Sequence, residues 1–165
     1  MDLYNDARVR HIIRPQAAKH NLLFDEWIDV DSDEWQKSCI VQIRRYQSME
    51  CEDGFKMDTS DECWENLQVF PFTSDLYDEE LEDCRQYVVG AVGFSKYENN
   101  IVELDFCWIH PFWRQRGLLK SYWDDFLLEF GDFYVSHPRT RAMQGFLDSM
   151  SYSEKKPNKA FKSDS

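Results

Sequence analysis

The stretch VELDFCWIHPFWRQRGLLKSYWDDFLLEFG, Val102 to Gly131, decides how this sequence folds. It opens as an apolar run rich in β-branched and aromatic residues, the composition of a strand, and then passes through Pro111. Arg114, Gln115 and Arg116 gather against Gly117, after which an amphipathic helix begins. Leu118, Leu119, Tyr122, Trp123, Phe126, Leu127 and Phe130 fall on one side of that helix, Lys120, Asp124, Asp125 and Glu129 on the other, and Gly131 stops it. A strand that gives way to a helix at a glycine leaves the first-turn N–H groups without helical partners. They point outward together, with the positive end of the helix dipole behind them. Such a turn is suited to cradle a phosphate. Gly117 lets a ligand approach the main chain, and the three side chains before it add donors and positive charge.

Working outward, QYVVGAVGFSKYENNIVELDFCWI (residues 86–109) reads as two strands joined by a turn at Asn99 and Asn100. After the central helix, FYVSH (133–137) reads as a strand and Pro138 as a helix start. Ala142, Met143, Phe146, Leu147 and Met150 form the buried face of that last helix. Upstream, RVRHIIRPQ (8–16) reads as a short strand and AAKHNLLFDEWID (17–29) as a helix. The segment DSDEWQKSCIVQIRRYQSM (31–49) is expected to be helical, with Asp31 and Glu34 at capping-box spacing and Trp35, Cys39, Ile43 and Tyr46 along one face. Residues from Glu50 to Cys63 lack apolar periodicity and read as a loop or insertion. NLQVFPF (66–72) reads as a strand and DLYDEELEDC (75–84) as a short helix. Strand, turn, helix, strand, helix is the order of an α/β layer.

Composition sets the limits. In 165 residues, 42% hydrophobic and 16% aromatic content suffices for the core of one domain of ordinary size. With 31 acidic against 19 basic residues the net charge is −12, which repels a nucleic-acid backbone and favours a cationic partner. The acids concentrate at residues 24–35, 49–66 and 74–84, which would make a negative rim if they folded onto one side. Five cysteines, odd in number, widely spaced and preceded by no signal peptide, argue for reduced thiols and a cytoplasmic setting. None shows C-x-x-C spacing, so no metal site is expected, and no apolar run is long enough to span a membrane.

The stretch IHPFWRQRGLLKSYW (109–123) resembles the acyl-CoA signature of the GNAT N-acetyltransferase superfamily: arginine or glutamine, two residues, glycine, one residue, glycine or alanine. Arg114 and Gly117 match, while Leu119 stands at the third position. Upstream, VELDFCWIHP is similar to that family's fourth strand, and downstream FLDSMSY is similar to its closing pattern. The resemblance implies a single α/β domain over residues 1–152, with a mixed, mostly antiparallel central sheet flanked by helices. An acidic insertion would lie at about 50–65 and a disordered tail at 153–165. The final NKAFKSDS (158–165) resembles the read-through ends of bacterial integron gene-cassette proteins.

The resemblance further implies transfer of an acetyl group from acetyl-CoA to a primary amine by direct attack in a ternary complex. An alkylamine with a reference pKa of about 10.4 arrives protonated, so a base must take its proton. Glu103 stands where family members carry a glutamate base, with Asp105, two residues along, as the alternative. A main-chain N–H near Cys107 would receive the charge that develops on the thioester oxygen, Cys107 itself being a buried filler and not a nucleophile. The family's usual general acid is a tyrosine, but Leu147 stands at that position; Tyr134, His137 or Tyr152 are the substitutes, and Tyr152 completes the catalytic set. Trp108, Ile109, Arg114, Gln115, Arg116, Gly117, Leu118 and Leu119 are the expected acyl-CoA contacts, with Ser136 and His137 placed nearby. The expected partners are acetyl-CoA and a cationic amine, on a small molecule or a protein, and a homodimer is left open. The rival reading is a catalytically degenerate GNAT-like module that holds CoA or captures a basic protein.

Overall fold

The computed structural model describes residues 14–153. Its elements are β1 (Gln16–Ala17), α1 (Glu34–Cys51), β2 (Leu67–Asp78), β3 (Asp83–Lys96), β4 (Val102–Ile109), α2 (Leu118–Phe130), β5 (Tyr134–Val135) and α3 (Arg141–Ser149). β3 is the spine. It pairs antiparallel with β2 along one edge, and along the other with β4 and, beyond the end of β4, with β1. β5 adds to the free side of β4 in parallel. The result is the expected mixed, mostly antiparallel sheet with helices on both faces.

The alternation of each strand distributes the apolar side chains between two clusters. On one face Ile40, Ile43 and Tyr46 of α1 meet Val69, Val88, Ala91, Phe106 and Trp108. On the other, Leu119, Trp123 and Phe126 of α2 and Leu147 of α3 meet Val89, Val92, Phe94, Leu104 and Val135. The hairpin turn lies where expected, with Asn99 and Asn100 at φ 65° and 59°, a left-handed conformation that asparagine tolerates better than most residues. Leu127 and Ala142, both expected inside, are exposed at the margins of their helices.

Other expectations need correction. Residues 17–29 form no helix: the Gln86 side-chain oxygen accepts from the Phe24 N–H at 2.7 Å and that of buried Gln36 from the Asp25 N–H at 2.7 Å. Ile28 bridges Val69 through two 2.8 Å main-chain hydrogen bonds, which holds this segment extended across the sheet. Residues 75–84 continue β2 into a hairpin with β3, because Asp78 accepts from the N–H groups of Glu80 (3.0 Å) and Leu81 (3.2 Å) and closes the turn. The residue at the α1 N-cap is Asp33, not Asp31, with no side-chain capping bond. The last helix starts at Arg141 and not at Pro138; Thr140 caps it by accepting from the Met143 N–H at 3.1 Å.

The loop after α1 begins later than expected, since Glu50 and Cys51 still belong to the helix, and it is pinned to the core by buried Met57 and Trp64. Most of the expected first strand and the tail from Glu154 onward lie outside the described residues. Among the described residues no helix is long and apolar enough to cross a membrane.

Candidate functional site

The site begins with an irregularity in β4. Gly93 pairs with Phe106 and Phe94 with Leu104, so Asp105 is an extra residue that reverses which face the following side chains take. Val102 and Leu104 pack toward α2; Phe106 and Trp108 pack toward α1. Gly93 makes this possible, since a Cβ there would collide with the Phe106 ring.

At the same place the sheet opens. β5 pairs with β4 only at Glu103 and Leu104, and Ser136 closes the ladder by donating its N–H to the Leu104 carbonyl (3.0 Å) and its hydroxyl to the Asp105 carbonyl (2.9 Å). From Phe106 to Ile109, β4 has β3 on one side and no strand on the other among the described residues. The His110 N–H donates to Val89 at 2.7 Å, which fixes residues 108 and 110 as facing β3 and residues 107 and 109 as facing the open edge. The Cys107 carbonyl accepts from Gln47 at 3.3 Å and the Ile109 carbonyl from the Arg114 Nε at 2.7 Å. Their N–H groups point the same way.

The open edge runs into the motif loop. A short 3-10 turn, Pro111–Trp113, is held by buried His110, whose Nδ1 accepts from the Phe112 N–H at 3.2 Å. Gln115 takes φ 59° and Gly117, the α2 N-cap, φ 73°, an alternation that turns successive N–H groups toward one concavity. The N–H groups of Gln115 through Lys120 donate to no described residue. Leu119, the departure from the signature, points inward and is 8% exposed, so its bulk fills the core and leaves the helix start clear.

Two expected contacts are otherwise engaged. Arg114 does not reach from the loop as a free cation: Nη1 and Nη2 each donate to a Glu50 carboxylate oxygen at 2.7 Å, in a bidentate pair. Trp108, 4% exposed, gives its indole N–H to Glu50 at 2.7 Å, packs against the Tyr46 ring at a 39° tilt, and turns its main chain to β3. Gln115 and Arg116 are exposed beside the bare amides; Ile109 and Leu118 are half-buried against the α2 cluster.

The carboxylates stand on the α1 side of the sheet. Burial raises the Glu103 pKa above its ordinary value, the negative charge of Asp105 adds to the rise, and a hydrogen bond from the Tyr97 hydroxyl opposes it. Asp105 is exposed and accepts from the Ser95 hydroxyl at 3.3 Å. Burial also pushes the Cys107 thiol up to about 12, which leaves it protonated and unsuited to nucleophilic attack. Tyr152 is not brought to this group. Its ring packs in the α2 cluster and its hydroxyl accepts from the Val135 N–H at 3.1 Å, so it fastens β5 to the segment after α3. Leu147 is a core residue at 1% exposure; Tyr134 pairs with Glu103 in the β4–β5 ladder, and its ring lies 6.1 Å from that of His137, which stands past the ladder's end.

Sequence reasoning missed Gln47, Glu50 and Tyr97. Gln47 and Glu50 are one helical turn apart in the α1 segment, a spacing visible in the sequence, but their targets lie about sixty positions away. Tyr97 could have been found by extending the hairpin pairing from Ser95 opposite Glu103.

No protein-family model matches the chain, and no curated protein matches it. Among solved structures, the chain is similar to an acetyltransferase of the GNAT family from Staphylococcus aureus MU50, at 15% identity and a TM-score of 0.48, over 80% of this chain and 93% of that one. It is also similar to the aminoglycoside N-acetyltransferase AAC(6')-Iy in complex with CoA, at 15% identity and a TM-score of 0.42, over 70% of this chain and 84% of that one.

Proposed function

We propose that this chain is an acyl-CoA-dependent N-acyltransferase that moves an acetyl group from acetyl-CoA to a primary amine of a cationic small molecule or protein. One observation carries the reading: the unpaired edge of β4 leads directly into a loop whose amides, from Gln115 to Lys120, have no partner among the described residues. A ligand with a diphosphate at one end and an extended amide-bearing arm at the other fits that sequence of features. The diphosphate takes the loop amides and the helix dipole, and the arm lies along residues 106–109.

The chemistry follows from the placement. Glu103, held above the ordinary carboxylate range, takes the proton of the incoming ammonium through water. The amine nitrogen attacks the thioester carbon, and the Cys107 N–H, facing the open edge, receives the oxyanion. Collapse breaks the C–S bond, the nitrogen gives up its second proton to water as the amide forms, and the departing thiolate takes a proton from solvent, since the Tyr152 hydroxyl accepts from Val135 and donates to the Phe133 carbonyl. The net charge of −12 draws a cationic acceptor toward the site.

The second reading, a CoA-holding module without turnover, is favoured by the lack of a tyrosine at the position taken by core residue Leu147. Calorimetric titration with acetyl-CoA, followed by an assay of free CoA released with a panel of amines, decides between them. Binding with amine-dependent CoA release supports the transferase; binding without release supports the module; no binding removes both.

A further inference from the structure

The open edge of a strand ordinarily presents donors and acceptors alternately, so an extended ligand finds both. This edge does not. Its two outward carbonyls are already taken, that of Cys107 by the Gln47 amide at 3.3 Å and that of Ile109 by the Arg114 Nε at 2.7 Å. Both occupants depend on one face of α1, because Gln47 and Glu50 are three residues apart and Glu50 sets the direction of Arg114 through two 2.7 Å bonds. The outward N–H groups of Cys107 and Ile109 remain for a ligand. Glu50 also accepts the Trp108 indole N–H at 2.7 Å, so a single carboxylate joins helix, strand and loop.

The placement of Glu50 is costly by itself. It stands in the last turn of α1, where the helix dipole disfavours an acid and no basic residue is present to offset it. Arg114 compensates from sixty-four positions away. The guanidinium is planar, so the bidentate fork fixes its third donor, Nε, on Ile109 with little rotational freedom.

We infer that Gln47 and Glu50 are positioning residues that make the β4 edge donor-only, so that it selects carbonyl oxygens of the acyl-CoA arm and aligns the thioester oxygen with Cys107 N–H. This inference rests on the acyltransferase reading above. It also reassigns Arg114 from a phosphate ligand to a strut that Glu50 holds in place.

The test is steady-state kinetics and CoA titration of Glu50→Gln and Arg114→Lys, each first shown to be folded by thermal melting. Glu50→Gln keeps the volume but loses the ionic fork; Arg114→Lys keeps the charge but loses the planar geometry. Both should raise the KM for acetyl-CoA and lower kcat, on the order of ten- to a hundredfold in kcat/KM, with the KM for the amine unchanged. In Glu50→Gln the Trp108 indole N–H resonance should shift as its acceptor weakens. A residue needed only for folding would reduce the active fraction and leave both KM values alone. If wild type binds CoA and either folded variant keeps the wild-type KM for acetyl-CoA, the inference falls while the function stands. Should Glu50→Gln fail to fold, Arg114→Lys decides alone; a wild-type chain that binds no CoA overturns both proposals.

Discussion

Glu103 holds a proton more readily than an ordinary glutamate because its carboxylate is partly removed from water beside the charge of Asp105. As a base it works only when ionised, so kcat/KM should rise with pH through an apparent pKa above the ordinary 4.5. Glu103→Gln should remove that limb and lower transfer on the order of 10²-fold or more, with CoA affinity intact; an unchanged rate in that variant takes Glu103 out of the mechanism. Tyr97→Phe deletes the one hydrogen bond that lowers the Glu103 pKa, so the limb should move to higher pH. Stability has the opposite sign. The folded carboxyl binds its proton more tightly than the unfolded one, so its contribution is full below the unfolded pKa and is lost as pH rises through the raised one. Glu103→Gln should therefore melt no lower than wild type at neutral pH, separating a catalytic loss from a folding one.

Two glycines separate conformational cost from steric cost in the elements that carry the site. Gly117 starts α2 at φ 73°, and a Cβ there would meet nothing within 4 Å. A side chain is disfavoured by backbone conformation alone, by about 1–2 kcal/mol. Gly117→Ala should thus lower the melting temperature slightly while weakening CoA binding, because the amide cradle relaxes with the turn. Equal CoA affinity in that variant would place the phosphates elsewhere. Gly93 is the converse case: a Cβ would enter the Phe106 ring at the bulge. Gly93→Ala should cost about 1–3 kcal/mol of stability by overpacking, read as a lower urea midpoint. The strand, motif loop and helix were legible because each is specified by neighbours in sequence. The bulge was not, since it depends on Phe106 lying across a glycine of another strand.

Across the whole molecule, the sheet separates two aromatic cores, and the acidic surplus remains outside them. Under the proposed function, a net charge of −12 acts on the two substrates with opposite sign. Raising ionic strength shortens the Debye length to about 8 Å at physiological salt, which weakens attraction for a cationic amine and repulsion of a polyanionic coenzyme. The KM for the amine should rise with added salt while that for acetyl-CoA holds or falls. A fall in both would exclude electrostatic capture of the acceptor.

Local periodicity and punctuation determine much of this architecture: the β3–β4 hairpin with its asparagine turn, α1 and α2 with their apolar faces, and the helix start at Gly117. Each depends on backbone preference and one-sided burial within a single element, which a short window of residues contains. Tertiary structure decided the rest. Residues 17–29 lost their helical period to the side-chain amides of Gln36 and Gln86, and residues 75–84 to the carboxylate of Asp78 in a hairpin with β3. Tyr152 was drawn to β5 and Arg114 to Glu50. In each case a polar group met a partner presented by another part of the fold, and a directional bond to a distant residue leaves no periodic trace along the chain.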